Sequence, residues 1–350
     1  MASNPDRPQA SIRVKMIGTV QPHIWLRQFP DARPVWGRCA FDFSPQTGDY
    51  DWLVIYNDIP SFCAPEERLP CPRQNTLLVT TEPSNIKAYG NAYTAQFGHV
   101  LTSQEPWALP HPSRIYRQPA LHWFYGLGSE RLLGYNEMAA HPPLAKSLCF
   151  ATVCSSKRQR HTLHNRRYEF TQALKKLIPE MEIYGQGVRP MDDKAEALAP
   201  YRYHLAIENF IGPHHWTEKL ADPFLGATLP FYIGCPNAAD YFPAESFIPL
   251  DFDDVEGAAA IIRRTIADHE YEKRLPAILE ARRLVLETYN IFAVLAREIE
   301  ARHDAAAPAA GATILSRREL RKRHPSVALQ HLYEKCRLKV LHAVHYREKV

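Results

Sequence analysis

Between Tyr201 and Asp254 the chain reads YRYHLAIENFIGPHHWTEKLADPFLGATLPFYIGCPNAADYFPAESFIPLDFDD. Two apolar runs flank a segment that opens on Thr217-Glu218-Lys219 and ends in a Gly-Cys-Pro-Asn turn. Strand, helix and strand in so short a span form a βαβ unit, and in an open α/β sheet ligands sit beyond the carboxyl ends of such strands. Glu208-Asn209 closes the first strand at that edge. Thr217 is a helix-capping residue by type, and free N–H groups at a helix start favour anions. Lys219 beside them adds a point charge suited to a diphosphate. Taken singly, these residues also fit a capped surface helix, a solvated lysine and a strand-ending turn.

The pattern recurs along the chain. Ile12–Ile17, Asp51–Tyr56, Asn75–Thr80 and His99–Thr102 are short, apolar and rich in β-formers, and read as strands. Pro106, Pro110, Pro112 and Pro119 then predict an irregular surface loop. A second set begins with strand Ser147–Val153, helix Asn165–Leu177 and strand Met181–Tyr184, which ends at Gly185-Gln186-Gly187. Strand Tyr203–Ile207, helix Thr217–Leu225 and strand Thr228–Ile233 follow. Alternating strands and helices imply an α/β fold with parallel, doubly wound sheets. The restart divides it into two Rossmann-like halves, 1–143 and 144–304, joined near His141-Pro142-Pro143. After Asp254 the chain reads as helical to about Arg302. Small residues at 305–312 form a linker, and 313–350 a basic helical tail.

The net charge of +4 is unevenly placed. Residues 313–350 hold ten Lys/Arg and three Asp/Glu, a balance of +7, so the rest of the chain sums to −3. Such a tail points to nucleic acid, an anionic membrane surface or an acidic partner. The aromatic stacking motifs of RNA-binding modules are absent, so no nucleic-acid partner is expected. No apolar run reaches the length of about 18 residues that a membrane span needs. The first residues carry charges where a signal peptide needs an apolar core, and the seven cysteines include no CxxC pair. A soluble, cytoplasmic protein with free thiols is expected.

Further candidate groups lie at strand ends. Arg189, just past Gly187, has the guanidinium geometry to grip phosphate oxygens, or to form a surface ion pair. Glu82, after the third strand, has the chemistry of a proton acceptor, or of an exposed residue in a proline turn. Asp251-Phe252-Asp253-Asp254 looks like a metal-binding DxD but reads better as the capped, acidic start of a helix. No histidine pattern supports a zinc site, and the P-loop and GxSxG motifs are missing.

In their order, YRYHLAIEN, HHWTEKL and ATLPFYIGCPNAADYFPAESFIPLDFDD resemble the C-terminal signature of family 10 glycosyltransferases, the α-1,3/4-fucosyltransferases. FATVCSSK and IYGQGVR resemble the family's donor-domain strand and its Y-G-x-G segment with an arginine. LLVTTEPSNIK resembles the T-G-E-N segment that holds its catalytic carboxylate. The resemblance implies a GT-B fold, two Rossmann-like domains facing a cleft. It implies an inverting transfer of fucose from GDP-fucose to a hydroxyl of a glycan acceptor. Carried over by position, Glu82 is the general base. Arg189 and Lys219 hold the diphosphate, and Glu208, Asn209, His215 and Glu218 belong to the donor site. No metal ligand is implied, and metal dependence stays open.

Three positions depart from the family's pattern. Phe210 stands for the serine of E-N-S, His215 for the tyrosine of Y-V-T-E-K, and Pro83 follows the catalytic carboxylate. The first two leave open a different nucleotide-sugar donor on the same fold. A nucleotide-binding relative without transferase activity is a further alternative. A cell-surface polysaccharide or lipopolysaccharide, or its lipid-linked precursor, is the expected acceptor. Residues 313–350 would then rest on the anionic inner face of the plasma membrane.

Overall fold

The computed structural model describes residues 12–155, 163–304 and 311–347. They form two compact units, 1–120 with 291–350, and 121–290.

The first unit opens with strands β1 (Ile12–Ile17), β2 (Val35–Trp36), β3 (Cys39–Asp42), β4 (Trp52–Tyr56), β5 (Glu66–Arg68), β6 (Thr76–Val79), β7 (His99–Thr102) and β8 (Arg114–Tyr116). Short helices α1 (Pro22–Leu26) and α2 (Asn91–Thr94) lie among them. Seven strands make one sheet in the order β2-β3-β1-β4-β6-β7-β8. Only the β2–β3 pair is antiparallel. Every residue of β4 and β6 is buried, as expected of central strands covered on both faces. Strand β8 falls inside the proline-rich stretch read as loop. Its three residues pair with Val100–Thr102 at the sheet edge, and the flanking prolines stay outside the ladder, where no N–H is needed.

The second unit carries β9 (Leu148–Val153), β10 (Glu182–Tyr184), β11 (Tyr201–Ile207), β12 (Leu229–Ile233) and β13 (Ile248–Pro249) in the order β10-β9-β11-β12-β13, all parallel. Its helices are α3 (Tyr135–Ala140), α4 (His164–Leu177), α5 (Glu218–Leu225), α6 (Val255–Ala267) and α7 (Glu270–Glu287). One face of the sheet packs Phe150, Tyr203 and Phe231 against Phe170, Leu174 and Ile262. The other packs Ala206 and Tyr232 with Leu220, Phe224 and Val285. Asp254 caps α6 by accepting the Gly257 N–H at 2.8 Å, the role read for the DFDD run.

The unit boundaries differ from 143/144 and 304. Trp123, Tyr125 and Met138 belong to the core around Phe224, and Asp222 accepts the N–H groups of Phe124 and Tyr125 at 2.9 and 3.1 Å. The second unit therefore starts at Leu121. At Ile291 the chain returns to the first unit as α8 (Ile291–Glu300). The Phe292 ring stacks 3.9 Å from Phe29 and meets Trp25 and Phe41 edge-on. Of the linker read at 305–312, residues 305–310 lie outside the described residues.

The tail does not start as a helix. Strand β14 (Thr313–Leu315) pairs antiparallel with β5, and helices α9 (Arg317–Arg323) and α10 (Pro325–Arg347) follow. Ile314, Leu315 and Leu320 join the core formed by Ile55, Tyr89 and Tyr93. Apolar burial thus ties the basic segment to the first unit.

Candidate active site

In the second unit, β11 ends at Ile207 and delivers Glu208 into the interior, where it is fully buried. Its carboxylate accepts the backbone N–H and the hydroxyl of Thr217 at 2.8 and 2.7 Å. Thr217 in turn caps α5, accepting the Lys219 N–H at 3.3 Å. The strand end and the helix start are therefore locked together. Lys219 Nζ lies 2.8 Å from Glu218 and 3.9 Å from Glu208. Lys194 lies 2.8 Å from Asp222 and 3.8 Å from Glu218.

A cavity of about 210 Å3 opens beside this cluster. It is lined by Arg167, Lys194, His204, Glu218, Lys219 and Asp222, with Gly185 and Gln186 on the β10 side. Gly185 has φ +136 and sits so close to the Cys154 carbonyl that a Cβ would come within 2.6 Å. Its N–H donates to Arg189 O at 2.8 Å, so the Gly-x-Gly segment is a tight turn at the cavity rim.

Burial pushes the Glu208 and Asp222 carboxyls up, against the pull of Lys219 and Lys194 respectively. Burial also works to raise Glu218, but Lys219 and Lys194 outweigh it and hold that carboxyl well below the usual range. Lys194 loses to burial and gains more from Asp222 and Glu218, so its ammonium is kept charged. His204 and His215 are lowered to about 3, first by burial and then by Lys194 and Lys219 respectively. Both rings are neutral near pH 7. The cluster thus presents fixed cations already held by carboxylates, an arrangement that stabilises a developing negative charge with little reorganisation.

Of the residues expected in a donor site, Glu218 and Lys219 line the cavity and Glu208 supports them from behind. Asn209 is next to it, with Oδ1 accepting from Arg167 Nη1 at 2.8 Å. His215 is buried edge-on against Phe210, 5.3 Å between ring centroids, and neither lines the cavity. Arg189 lies elsewhere. It is exposed, pairs with Glu182 at 2.6 Å and stacks 4.3 Å over Tyr184, outside the cavity lining. The short turn at Gly185–Gly187 sends its side chain back along β10.

Arg167, Lys194, His204 and Asp222 escaped the sequence reading. Arg167 has a legible signal. It shares the buried face of α4 with Phe170, Thr171 and Leu174, where a charged residue needs a partner or a ligand. Its Nε and the His204 Nδ1 are buried without a hydrogen-bond partner among the described residues. Lys194 and Asp222 carry no such signal, because their pairing crosses from one segment to another.

Glu82 belongs to the first unit, three residues past the end of β6. The loop carrying it is fixed from several sides. Buried Gln104 donates from Nε2 to the carbonyls of Glu82 and Lys87 at 2.8 and 2.9 Å. The Tyr89 hydroxyl accepts the Thr81 N–H and donates to Asn57 Oδ1, both at 2.9 Å. The Pro83 carbonyl accepts from Ile86 and Lys87, so Pro83 opens a turn behind the carboxylate. Lys87 also donates to Asn57 Oδ1 and lies 4.7 Å over the Tyr89 ring. Burial and Arg317 lower it to about 8, against the pull of Asp58 and Glu82. Among the described residues no group of three or more His, Cys, Asp or Glu is placed to hold a metal ion.

Residues 145–274 match the family "Glycosyltransferase family 10 (fucosyltransferase) C-term". The chain is 31% identical over 140 residues to the Pongo pygmaeus 4-galactosyl-N-acetylglucosaminide 3-alpha-L-fucosyltransferase FUT6, covering 37% of each chain. It is 35% identical over 72 residues to the Helicobacter pylori alpha-(1,3)-fucosyltransferase FucT, covering 20% of this chain and 15% of that one. The chain thus spans little more than a third, at most, of the length of these curated relatives. The crystal structure of an alpha1,3-fucosyltransferase with GDP-fucose superimposes with a TM-score of 0.50 at 15% identity, covering 88% of this chain and 95% of that one. This likeness and the two Rossmann-like units show a GT-B fold. Over residues 145–274 the chain is similar to the C-terminal part of glycosyltransferase family 10, the fucosyltransferases.

Proposed function

We propose that this protein is an inverting glycosyltransferase that moves fucose from GDP-fucose to a hydroxyl of a glycan acceptor. The observation that carries the reading is the cavity at the carboxyl ends of β9 and β11, where Arg167, Lys194 and Lys219 converge beside the capped start of α5. A nucleoside diphosphate suits that charge pattern. Arg167 and Lys219 are assigned to the diphosphate. Glu208 and Asn209 hold them in place, and Glu218 is assigned to the donor's sugar or ribose.

The chemistry divides between groups of known type. An acceptor hydroxyl is a weak nucleophile, so Glu82 takes its proton as the new bond forms. The sugar carbon becomes oxocarbenium-like while its bond to the diphosphate breaks. Negative charge grows on the leaving GDP, and the fixed cations stabilise it.

The family supports fucose as the transferred sugar, and Phe210 and His215, packed on each other, do not favour a different donor. Calorimetric titration with GDP, GDP-fucose, GDP-mannose, UDP-glucose and UDP tests the reading. Selective binding of GDP and GDP-fucose, abolished in Lys219→Ala, supports it. Preference for a uridine nucleotide sinks it, and binding without turnover of any donor would make the chain a non-catalytic relative. The similarity to a 4-galactosyl-N-acetylglucosaminide fucosyltransferase supplies the first acceptor to assay. Assembly of a cell-surface polysaccharide or lipopolysaccharide, on a lipid-linked precursor, is the wider role proposed.

A cytoplasmic location, peripheral on the inner face of the plasma membrane, belongs to the same proposal. No helix among the described residues is long and apolar enough to cross a membrane. Helix α10 instead exposes Leu329, Leu332, Tyr333, Val340 and Val344, interspersed with Lys335, Arg337 and Lys339. An apolar stripe among basic residues suits an anionic interface. Salt-sensitive binding to vesicles containing anionic lipid, lost when the three basic residues are changed to Glu, is the expected result. Binding unaffected by those changes excludes this surface.

A further inference from the structure

The C-terminal segment reaches the loop that carries Glu82 chiefly through the half-buried guanidinium of Arg317. Arg317 Nη2 donates to the Ala88 carbonyl at 2.6 Å and Nε to the Tyr89 carbonyl at 3.2 Å. The same group lies 5.5 Å from the centre of the Tyr89 ring. Tyr89 is the residue whose hydroxyl accepts the Thr81 N–H, one residue before Glu82. Arg317 therefore grips one end of a short loop, Gln104 spans its middle, and Tyr89 ties the two ends together.

The segment around Arg317 is anchored well enough to act as a fixed point. The Arg317 N–H donates to Asp58 Oδ1 at 3.2 Å, and Ser316 N–H to the Pro65 carbonyl at 2.8 Å. Gln96 exchanges two hydrogen bonds with Leu315, at 2.9 and 3.1 Å. Further along, Glu334 Oε2 accepts the Asn91 N–H at 3.0 Å, two residues past Tyr89 at the start of α2. A guanidinium bridging two carbonyls imposes a direction that a flexible ammonium does not.

We propose that Arg317 is a positioning residue for Glu82, so that the C-terminal segment acts as a clamp setting the orientation of the general base. The inference rests on the assignment of Glu82 given above. Arg317 acts through the Ala88–Tyr89 backbone and the Tyr89 hydroxyl. A loop released at that end would still carry the carboxylate, but over a wider range of positions, and misplacement by about 1 Å can cost on the order of a hundredfold in rate.

The test compares Arg317→Gln, Arg317→Lys, Glu82→Gln and Arg323→Gln in the full chain. Arg323 is a charge-matched control, paired on the surface with Glu66 at 2.7 Å. Turnover is read as GDP release from GDP-fucose with 4-galactosyl-N-acetylglucosaminide and with water as acceptor. Donor affinity is read by calorimetry, and amide exchange over residues 81–90 by mass spectrometry. The expected result is a fall in kcat of tenfold or more in Arg317→Gln, with GDP-fucose affinity within twofold of the parent. Exchange over 81–90 should speed up, Arg317→Lys should recover part of the loss, and Arg323→Gln should change nothing. Arg317→Gln combined with Glu82→Gln should be no slower than Glu82→Gln alone, because two changes to one device do not add.

Full turnover and unchanged exchange in Arg317→Gln, alongside an inactive Glu82→Gln, overturn the clamp and leave the base assignment standing. Additive losses, or a parallel loss of donor affinity, also overturn it. Full turnover in Glu82→Gln removes the base assignment and the clamp with it. If Arg317→Gln does not fold, Arg317→Lys decides: a threefold or greater fall in kcat at unchanged donor affinity supports the clamp, and parental turnover overturns it.

Discussion

Glu208 and Thr217 are joined by two hydrogen bonds, 2.8 Å to the backbone N–H and 2.7 Å to the hydroxyl, in a fully buried setting. A strand end and a helix cap are thereby held at one spacing, and Lys219 follows from it. Replacing Glu208 by Ala leaves both Thr217 donors unpaired and Lys219 without one of its carboxylates. A loss of about 2–4 kcal/mol is expected, since each buried unsatisfied group costs about 1–3 kcal/mol. Urea unfolding at pH 7.5 measures it, and GDP affinity should fall in the same variant. A variant as stable as the parent would show that the cap holds without Glu208.

Arg167 and Arg189 should behave differently. Arg167 lines the cavity, and Arg189 is held outside it by Glu182. Hydrogen bonds to charged groups are worth about 1.5–3 kcal/mol, so Arg167→Ala should weaken GDP binding by roughly 10- to 100-fold. Arg189→Ala breaks an exposed ion pair and should leave affinity within about threefold. The reverse ranking in calorimetry would return Arg189 to the diphosphate site.

His204 and His215 set an acid limit. Each is lowered to about 3 in the folded chain, mainly by burial, whereas a histidine in the unfolded chain titrates near pH 6.5. Between those values the unfolded chain binds protons that the folded chain does not. This stabilisation is complete above about pH 6.5 and is lost progressively as pH falls toward 3. Each ring contributes a slope of up to about 1.4 kcal/mol per pH unit in that window. His204→Asn should remove one ring's share, flattening the dependence measured by urea unfolding at pH 7.5, 6.5 and 5.5. An unchanged slope would mean that His204 protonates readily in the folded state.

Truncation after Ala312 should destabilise the first unit. Ile314, Leu315 and Leu320 are buried in its core, and β5 would lose its only strand partner in that two-stranded sheet. Burial of aliphatic side chains at about 1.5–3 kcal/mol each puts the cost on the order of 5 kcal/mol. Scanning calorimetry of the truncated chain measures it. Parental stability would show that the segment rests on the unit without contributing to its core.

Much of the fold was legible because it is written locally. The period-2 and buried apolar runs at Ile12–Ile17, Trp52–Tyr56 and Tyr201–Ile207 are strands whichever chain they sit in. Thr217 announces a helix start by its own side chain, and Asp254 does the same. Lys219, Glu218, Glu208 and Asn209 can be read as neighbours from sequence because one βαβ unit holds them within twelve positions, 208–219.

Long-range packing decided the rest. Arg167 reaches Asn209 across 42 residues because α4 lies against the end of β11, and Lys194 reaches Asp222 across 28. Neither distance is encoded in spacing. Residues 313–350 read as a basic helical tail because their charges are local and their anchors are not. Strand β14 finds its partner in β5, and Arg317 finds the carbonyls of Ala88 and Tyr89. Local sequence set which elements form, because capping and side-chain period act within a few residues. Only the closed tertiary structure could decide which side chains share the cavity and which segment holds the Glu82 loop, because hydrogen bonds and apolar burial act in space without regard to chain distance.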